Sequence, residues 1–388
     1  MSIHLDGFCD PAFVDVRRAF ADNFSQRGEI GAGVSIFVDG KNVVNLWGGR
    51  THWFRAKKWH ENSLVNIYSG SKGITAICAL RLVDQGLLDL DKPVAHYWPE
   101  FAKKGKGEIP VKWILNHKAG VSGVRRPLMG NDLYRWKKMS RSLASQSPWW
   151  EPGEKHGYHA ASFGWIMGEI IKSITGKTVG EYLKQEICDP LGLDLHFGVA
   201  QDQHDRIAPI ILPVAIPESK HTWNLLASGI KNPFGPTTSA ILNPITIATG
   251  VNSKRWRNSE LPAINAHSTA HALAKLYGVL ARGGELGDYQ LISDKTLDLA
   301  IDESSAGHDY VLKMDTRFSM GFMLNQSYKA GWFGDGKRSF GHNGAGGSFA
   351  FADPDAKIGF GYVMNRMGTH LLLDPRAQHL IEAVYRCL

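Results

Sequence analysis

The run Tyr68-Ser69-Gly70-Ser71-Lys72 sets a hydroxyl and an amine three residues apart, directly before the apolar, helix-like stretch Gly73-Ile74-Thr75-Ala76-Ile77-Cys78-Ala79-Leu80. On a helix such residues share a face, so Ser69 Oγ and Lys72 Nζ come within reach of each other, while the free N–H groups of the first turn favour a developing anion. This is the chemistry of an activated serine. The hydroxyl attacks a carbonyl carbon once a neighbour accepts its proton, and a lysine with a lowered pKa can share in that transfer. The structural alternative reads Ser69 or Ser71 as a helix cap and Lys72 as a solvated charge.

Composition limits what else the chain can be. Its 388 residues carry a formal net charge of +7 and 43% hydrophobic residues, the balance of a soluble globular protein with one large domain or two lobes. Met1 to Asp6 lacks a basic flank followed by an apolar core, and no run of about 18 apolar residues occurs, so a cytoplasmic protein without a membrane partner is expected. Lys103-Lys104-Gly105-Lys106, Arg125-Arg126, Lys137-Lys138 and Lys254-Arg255-Trp256-Arg257 form basic clusters but no nucleic-acid reading motif, and are read as surface charge. Cys9, Cys78, Cys188 and Cys387 are scattered, without a C-x-x-C, as reduced packing residues would be. His267 and His271 stand four apart, yet the glutamate of H-E-x-x-H is missing and no third ligand is evident. No metal and no cofactor are expected.

The elements that must position Ser69 follow from patterning. Asp10-Pro11 starts a helix bearing Phe13, Phe20 and Phe24. Gly33 to Val38 and Asn42 to Trp47 flank Asp39-Gly40, a turn pair suited to an antiparallel hairpin. Much later Ser268 is expected to open a helix carrying Leu273, Leu276, Tyr277 and Leu280 that stops at Gly283-Gly284. Phe318 to Leu324, Ser348 to Ala352 and Ile358 to Met364 read as strands, and a closing helix starts at Asp374-Pro375. Between them, Phe163 to Ile174 give an apolar helix ending at Gly176, and Thr178 to Glu181 form a capping box. The fold class expected is α+β: an antiparallel sheet flanked by helices, built from residues 1–100 and 265–388 of one domain, with a mainly helical lobe, 101–264, inserted. An active site is expected between the lobes.

Three segments in order make the chain resemble the serine β-lactamase-like hydrolases, particularly the class C β-lactamase relatives called family VIII carboxylesterases. They are Ser69-Gly70-Ser71-Lys72, then Tyr158-His159-Ala160 after Pro152-Gly153, then Phe340-Gly341-His342-Asn343-Gly344. Ile114 to Val121 and Pro190-Leu191-Gly192-Leu193 are supporting matches, and the likeness runs over nearly the whole length. The resemblance implies a β-lactamase/penicillin-binding-protein-like fold and an acyl-enzyme on Ser69, with Lys72 holding and helping to deprotonate it. Tyr158 would be a second base, its phenol pKa lowered by neighbouring ammonium groups. By the same analogy, the N–H groups of Ser69 and Ala345 form the oxyanion hole, Gly344 lets the backbone approach, His342 orients Tyr158 or the substrate, and Asn343 belongs to the same substrate-binding segment.

The departures from the family pattern matter as much. Class C enzymes carry Tyr-x-Asn, but position 160 is alanine, and the Ser-Asp-Asn and Lys-Thr-Gly elements of class A enzymes are absent. Hydrolysis of short-acyl esters is therefore the primary expectation, on a small-molecule ester substrate. β-Lactam hydrolysis and acyl transfer by the same intermediate, or a catalytically idle binding module, are the alternatives. A homo-oligomer is compatible with the sequence. Tyr134, Trp136, Trp149, Trp150, Phe234 and Trp256 are candidate cleft aromatics, about half of which should line the opening.

Overall fold

The computed structural model describes residues 4–52, 57–213, 220–328 and 331–388. Its main sheet has nine strands: β1 (Leu5–Cys9), β2 (Gly31–Val38), β3 (Lys41–Gly49), β4 (Ser305–His308), β5 (Asp315–Phe318), β6 (Met323–Leu324), β7 (Phe340–Asn343), β8 (Phe349–Asp353) and β9 (Ile358–Met364). They lie in the order β1-β3-β2-β9-β8-β7-β6-β5-β4, every neighbouring pair antiparallel. The two ends of the chain thus meet in one sheet, where Gly33 of β2 pairs with Val363 of β9. Asp39 (φ 46°) and Gly40 (φ 79°) turn the β2–β3 hairpin with both central residues left-handed, as a type I′ turn requires.

Five helices matter for the site: α1 (Val14–Gln26), α2 (Gly70–Asp84), α3 (Ser162–Thr175), α4 (Ala270–Leu280) and α5 (Pro375–Arg386). Alternation along the strands decides which helix covers which face. Ala32, Val34 and Ile36 of β2 and Ile358, Phe360, Tyr362 and Met364 of β9 join Phe20 and Phe24 of α1 and Leu380, Ile381 and Val384 of α5 in one core. The opposite face carries Gly33, Gly359 and Gly361, and α4 sits against it; a Cβ on Gly359 would stand 2.2 Å from the Gly278 nitrogen. Alternate glycines therefore cut the trough in which α4 lies.

Gly359→Ala is expected to lower the unfolding free energy by about 1–3 kcal/mol, because helix backbone rather than a mobile side chain must give way. Gly107, whose nearest Cβ neighbour would be at 3.8 Å, is the control. Urea unfolding of the two alanine variants checks this, and equal midpoints would contradict it.

Helix α2 is buried on every side from Gly70 to Leu80, which explains its lack of an amphipathic stripe: it packs between the sheet and α3. Helix α3 ends on Gly176 (φ 73°), and the Thr178–Glu181 capping box opens the next helix. Two expectations are corrected. Ser268 does not open a helix; His267–Ser268 is a short strand between Val65–Asn66 and Leu195–His196, and Thr269 caps α4 through its hydroxyl. The ladder to the lead-in of α2 captures that segment first. Phe318 to Leu324 is not one strand either, because Gly321 (φ 91°) turns the chain between β5 and β6. No helix among the described residues is long and apolar enough to cross a membrane.

Candidate active site

Ser69 stands at the N-terminus of α2, partly exposed, and its side chain makes no capping hydrogen bond. The hydroxyl is free for chemistry, so the capping alternative fails for it; Ser71 is occupied, accepting the Ala266 N–H at 2.9 Å. Just before it, Tyr68 adopts φ 44°, an unfavourable conformation for a bulky residue that turns the chain sharply at the serine. Lys72 is fully buried. Its Nζ donates to the Ala263 carbonyl at 3.0 Å and to Ser69 Oγ at 3.3 Å, and lies 4.6 Å from the centre of the Tyr158 ring. Burial alone holds its pKa well below the usual amine range, since desolvation penalises the ammonium form.

Tyr158 comes from an irregular segment just before α3, in neither helix nor strand. Its neighbours are pinned by His117, whose carbonyl accepts the Gly157 N–H (3.0 Å) and whose Nδ1 accepts the His159 N–H (3.2 Å). Its own N–H donates to the buried Asp309 carboxylate at 3.1 Å. The His159 ring is fixed as well: Nε2 accepts the Val121 N–H at 3.1 Å, which leaves Nδ1–H to donate to the Gly157 carbonyl at 2.8 Å. The Ser69 side chain acts on the Tyr158 phenol to lower its pKa, and the Tyr158 ring stacks on Phe318 with centres 6.0 Å apart. Serine, lysine and tyrosine thus meet, although 86 residues of chain separate the last two.

One expectation is reversed. Burial pushes the Tyr158 phenol above its ordinary pKa, and the Asp309 charge acts in the same direction, outweighing the lowering by Ser69. The ammonium expected to lower it is itself disfavoured by burial at Lys72. Burial thus disfavours the charged form of both groups.

The third segment is β7 and the turn after it. Gly344 lies against the chain leading into α2: a Cβ there would stand 2.2 Å from the Ile67 carbonyl oxygen, so this approach requires glycine. Ala345, exposed at the turn, has an N–H without a protein acceptor among the described residues, and so has Ser69. His342 is buried, its Nδ1 bonded to the Asn343 carbonyl at 2.8 Å and its Nε2 without a partner. Its ring centre is 6.1 Å from that of Tyr158, and no hydrogen bond joins them among the described residues. Asn343 donates its amide N–H groups to the carbonyls of Leu371 (2.9 Å) and Leu372 (3.3 Å), while its Oδ1 is buried without a partner among the described residues.

Sequence reasoning passed over the residues that brace these three segments. His117 and Asp309 hold Tyr158. Arg376, read only as part of a helix start, donates to the Gly346 carbonyl at 2.9 Å in the turn bearing Ala345, and is fixed in turn by Asp374 (2.9 Å) and Glu29 (3.1 Å). A lone Asp or Arg in sequence carries no signal of burial; only the ion pairs show it.

Of the candidate aromatics, Trp150 lies beside the site, where a Cβ on Gly157 would meet its ring at 2.7 Å. With Trp149, Ala160, Ile241, Tyr310, Leu371 and Leu372 it belongs to the apolar cluster around Tyr158. Trp256 is core, bonded to Asn66 at 3.0 Å; Trp136 bonds Glu169, Arg255 covers Tyr134, and Phe234 is exposed. His267 and His271 do not share a helical face, since only His271 is on α4, and among the described residues no group of three or more His, Cys, Asp and Glu is arranged to hold a metal.

Burial also sets a pH limit. His159, His267 and His342 are pushed down to about 3 and His156 to about 4, while His117 and His271 shift the same way. A folded-state pKa below the unfolded value means that the unfolded chain binds more protons, so this stability is present above about pH 6.5 and is lost as pH falls towards 3. Asp309, raised to about 6, and Glu29 and Glu260, also raised, run the other way, but they are three groups against six. The urea midpoint is expected to drop steadily from pH 7 to pH 4.5; a flat profile would contradict the assignment.

Known proteins resemble this chain in sequence and fold. The beta-lactamase family profile matches residues 16–384. An esterase/beta-lactamase of Mycobacterium tuberculosis, LipL, is 33% identical over 377 residues, 96% of this chain and 85% of that protein. Among solved structures, a family VIII carboxylesterase superposes with a TM-score of 0.91 at 37% identity, covering 100% of both chains. A penicillin-binding protein homologue from Caulobacter crescentus does so at 0.91 and 36% identity, covering 99% of this chain and 100% of that one. With the family profile spanning nearly the whole chain and the Ser69-x-x-Lys72 pair at the head of a buried helix, the chain belongs to the beta-lactamase family, as a serine hydrolase.

Proposed function

We propose that this serine hydrolase is a carboxylesterase acting on short-acyl esters. The observation that carries the reading is the apolar cluster around Tyr158, with Ala160 in it where the related β-lactamases carry an asparagine amide. A wall of Trp149, Ala160, Ile241, Tyr310 and Leu371 suits an apolar acyl or alcohol group and offers no side-chain amide at position 160 to bind a β-lactam side chain.

In this mechanism neutral Lys72 accepts the Ser69 proton as Oγ bonds to the ester carbonyl carbon. The carbonyl oxygen takes the negative charge and is held by the Ser69 and Ala345 N–H groups, each such donor contributing about 3 kcal/mol to the transition state. The tetrahedral species collapses as the alkoxy group leaves with a proton from the Tyr158 phenol, which is replenished from the Lys72 ammonium. Water then attacks the acyl carbon, giving its proton to the same pair, which passes it to Ser69 Oγ as the acyl C–Oγ bond breaks and the carboxylic acid is released. Tyr158 is thus a proton relay rather than a resident phenolate, consistent with its raised pKa.

Turnover of p-nitrophenyl butyrate and nitrocefin by the same preparation tests the substrate class. The expected kcat/KM ratio favours the ester by about 100-fold or more, the size of discrimination that an unmatched polar contact produces. A ratio favouring nitrocefin would make β-lactam hydrolysis the primary activity.

A further inference from the structure

We propose that Asp309 is the positioning residue for Tyr158, an inference that rests on the reading of Tyr158 as the proton relay. Asp309 is fully buried in the turn between β4 and β5, 151 residues from the tyrosine. Its Oδ1 accepts three backbone N–H groups: Val311 at 2.8 Å, Leu312 at 2.7 Å and Tyr158 at 3.1 Å. The first two close the local turn. The third crosses to the segment before α3 and serves nothing in that turn.

The surrounding bonds clip the same two segments together. Tyr310 N–H donates to the His156 carbonyl at 3.0 Å, and His156 Nε2 meets Thr316 Oγ1 at 2.9 Å, whose hydroxyl lies 3.5 Å from Asp309 Oδ2. The successive N–H groups of Gly157, Tyr158 and His159 are thereby fixed one by one, the outer two by His117 and the middle one by Asp309. Only the middle bond belongs to the tyrosine itself. Because Tyr158 stands in neither helix nor strand, this carboxylate sets where its Cα sits, and hence where the phenol meets Ser69. A displacement of about 1 Å at such a point is enough to cost on the order of 100-fold in rate.

The test is a double-mutant cycle with p-nitrophenyl butyrate on the full-length protein, with folding followed by circular dichroism. Asp309→Ala is expected to lower kcat about 100-fold with KM within about threefold of wild type, and to cost less than about threefold further in a Tyr158→Phe background. A purely structural role would cost the same factor in both backgrounds. Alanine leaves three buried N–H groups unpaired, so if that variant fails to fold the cycle is run with Asp309→Asn, which keeps an acceptor oxygen. There the expected loss is about tenfold with Tyr158 present and none in the Tyr158→Phe background. Equal losses in both backgrounds, or wild-type kcat in the folded Asp309 variant, would overturn the proposal. Wild-type turnover by Tyr158→Phe alone would overturn the relay reading and the positioning role with it, and that single variant identifies which has failed.

Discussion

Ser69→Ala is expected to reduce ester turnover by about 10⁴-fold or more while leaving the fold intact, because it removes the atom that the proposed mechanism acylates and little else. The hydroxyl is partly exposed and makes no capping bond, so alanine leaves no buried donor or acceptor of its own unsatisfied. Lys72 and Tyr158 lose one partner each, but Lys72 keeps its bond to the Ala263 carbonyl. The companion measurement is labelling with a fluorophosphonate: wild type should gain one covalent adduct by mass, on the peptide containing Ser69, and the variant none. Turnover above about 1% of wild type in the variant, beyond the residual rate that binding and oxyanion stabilisation alone support, would remove Ser69 as the nucleophile.

Lys72→Met should lower kcat by about 10³-fold or more while retaining the stability of the fold. Methionine matches the length of the lysine stem but cannot accept the serine proton. A buried lysine is a stability cost offset by function, since its ammonium form is strongly disfavoured at a fully buried position, and an apolar replacement removes that cost. The expected result is therefore an inactive variant whose Tm is unchanged or higher. Lys72→Arg should be equally inactive, because a guanidinium stays protonated.

The pH profile of the wild type carries the same assignment. The folded-state pKa of Lys72 is depressed, so the base form is present above that value and is lost as pH falls through it; kcat/KM should rise with pH across a limb lying below the ordinary amine range. An amine still protonated at pH 9, shown by activity that climbs only above that point, would contradict the burial argument.

Much of the frame could be read in the chain. The apolar stretch after Lys72, the Asp39-Gly40 turn, the Asp374-Pro375 helix start and the Thr178 to Glu181 capping box are local patterns, and local chemistry is enough to specify them. The boundaries that moved were those where a distant partner competes with local preference. His267–Ser268 pairs with Val65–Asn66 instead of starting a helix, and Gly321 interrupts what composition makes look like one strand.

The candidate site divides in the same way. The sequence by itself determined which residue types are present and which local element carries each: a serine and a lysine one helical turn apart, a tyrosine after Pro152-Gly153, a glycine-rich turn after a strand. Spacing of three on a helix is geometry that needs no tertiary contact. Only the tertiary structure decided protonation and position. Whether Lys72 is an amine or an ammonium depends on its being fully buried, and whether Tyr158 is a phenol or a phenolate depends on burial and on Asp309, 151 residues away. Desolvation is a property of everything packed around a group, and the Arg376–Glu29 ion pair and the Tyr158 N–H bond to Asp309 join segments that meet only in the folded molecule. No pattern within a single stretch of the chain contains that information.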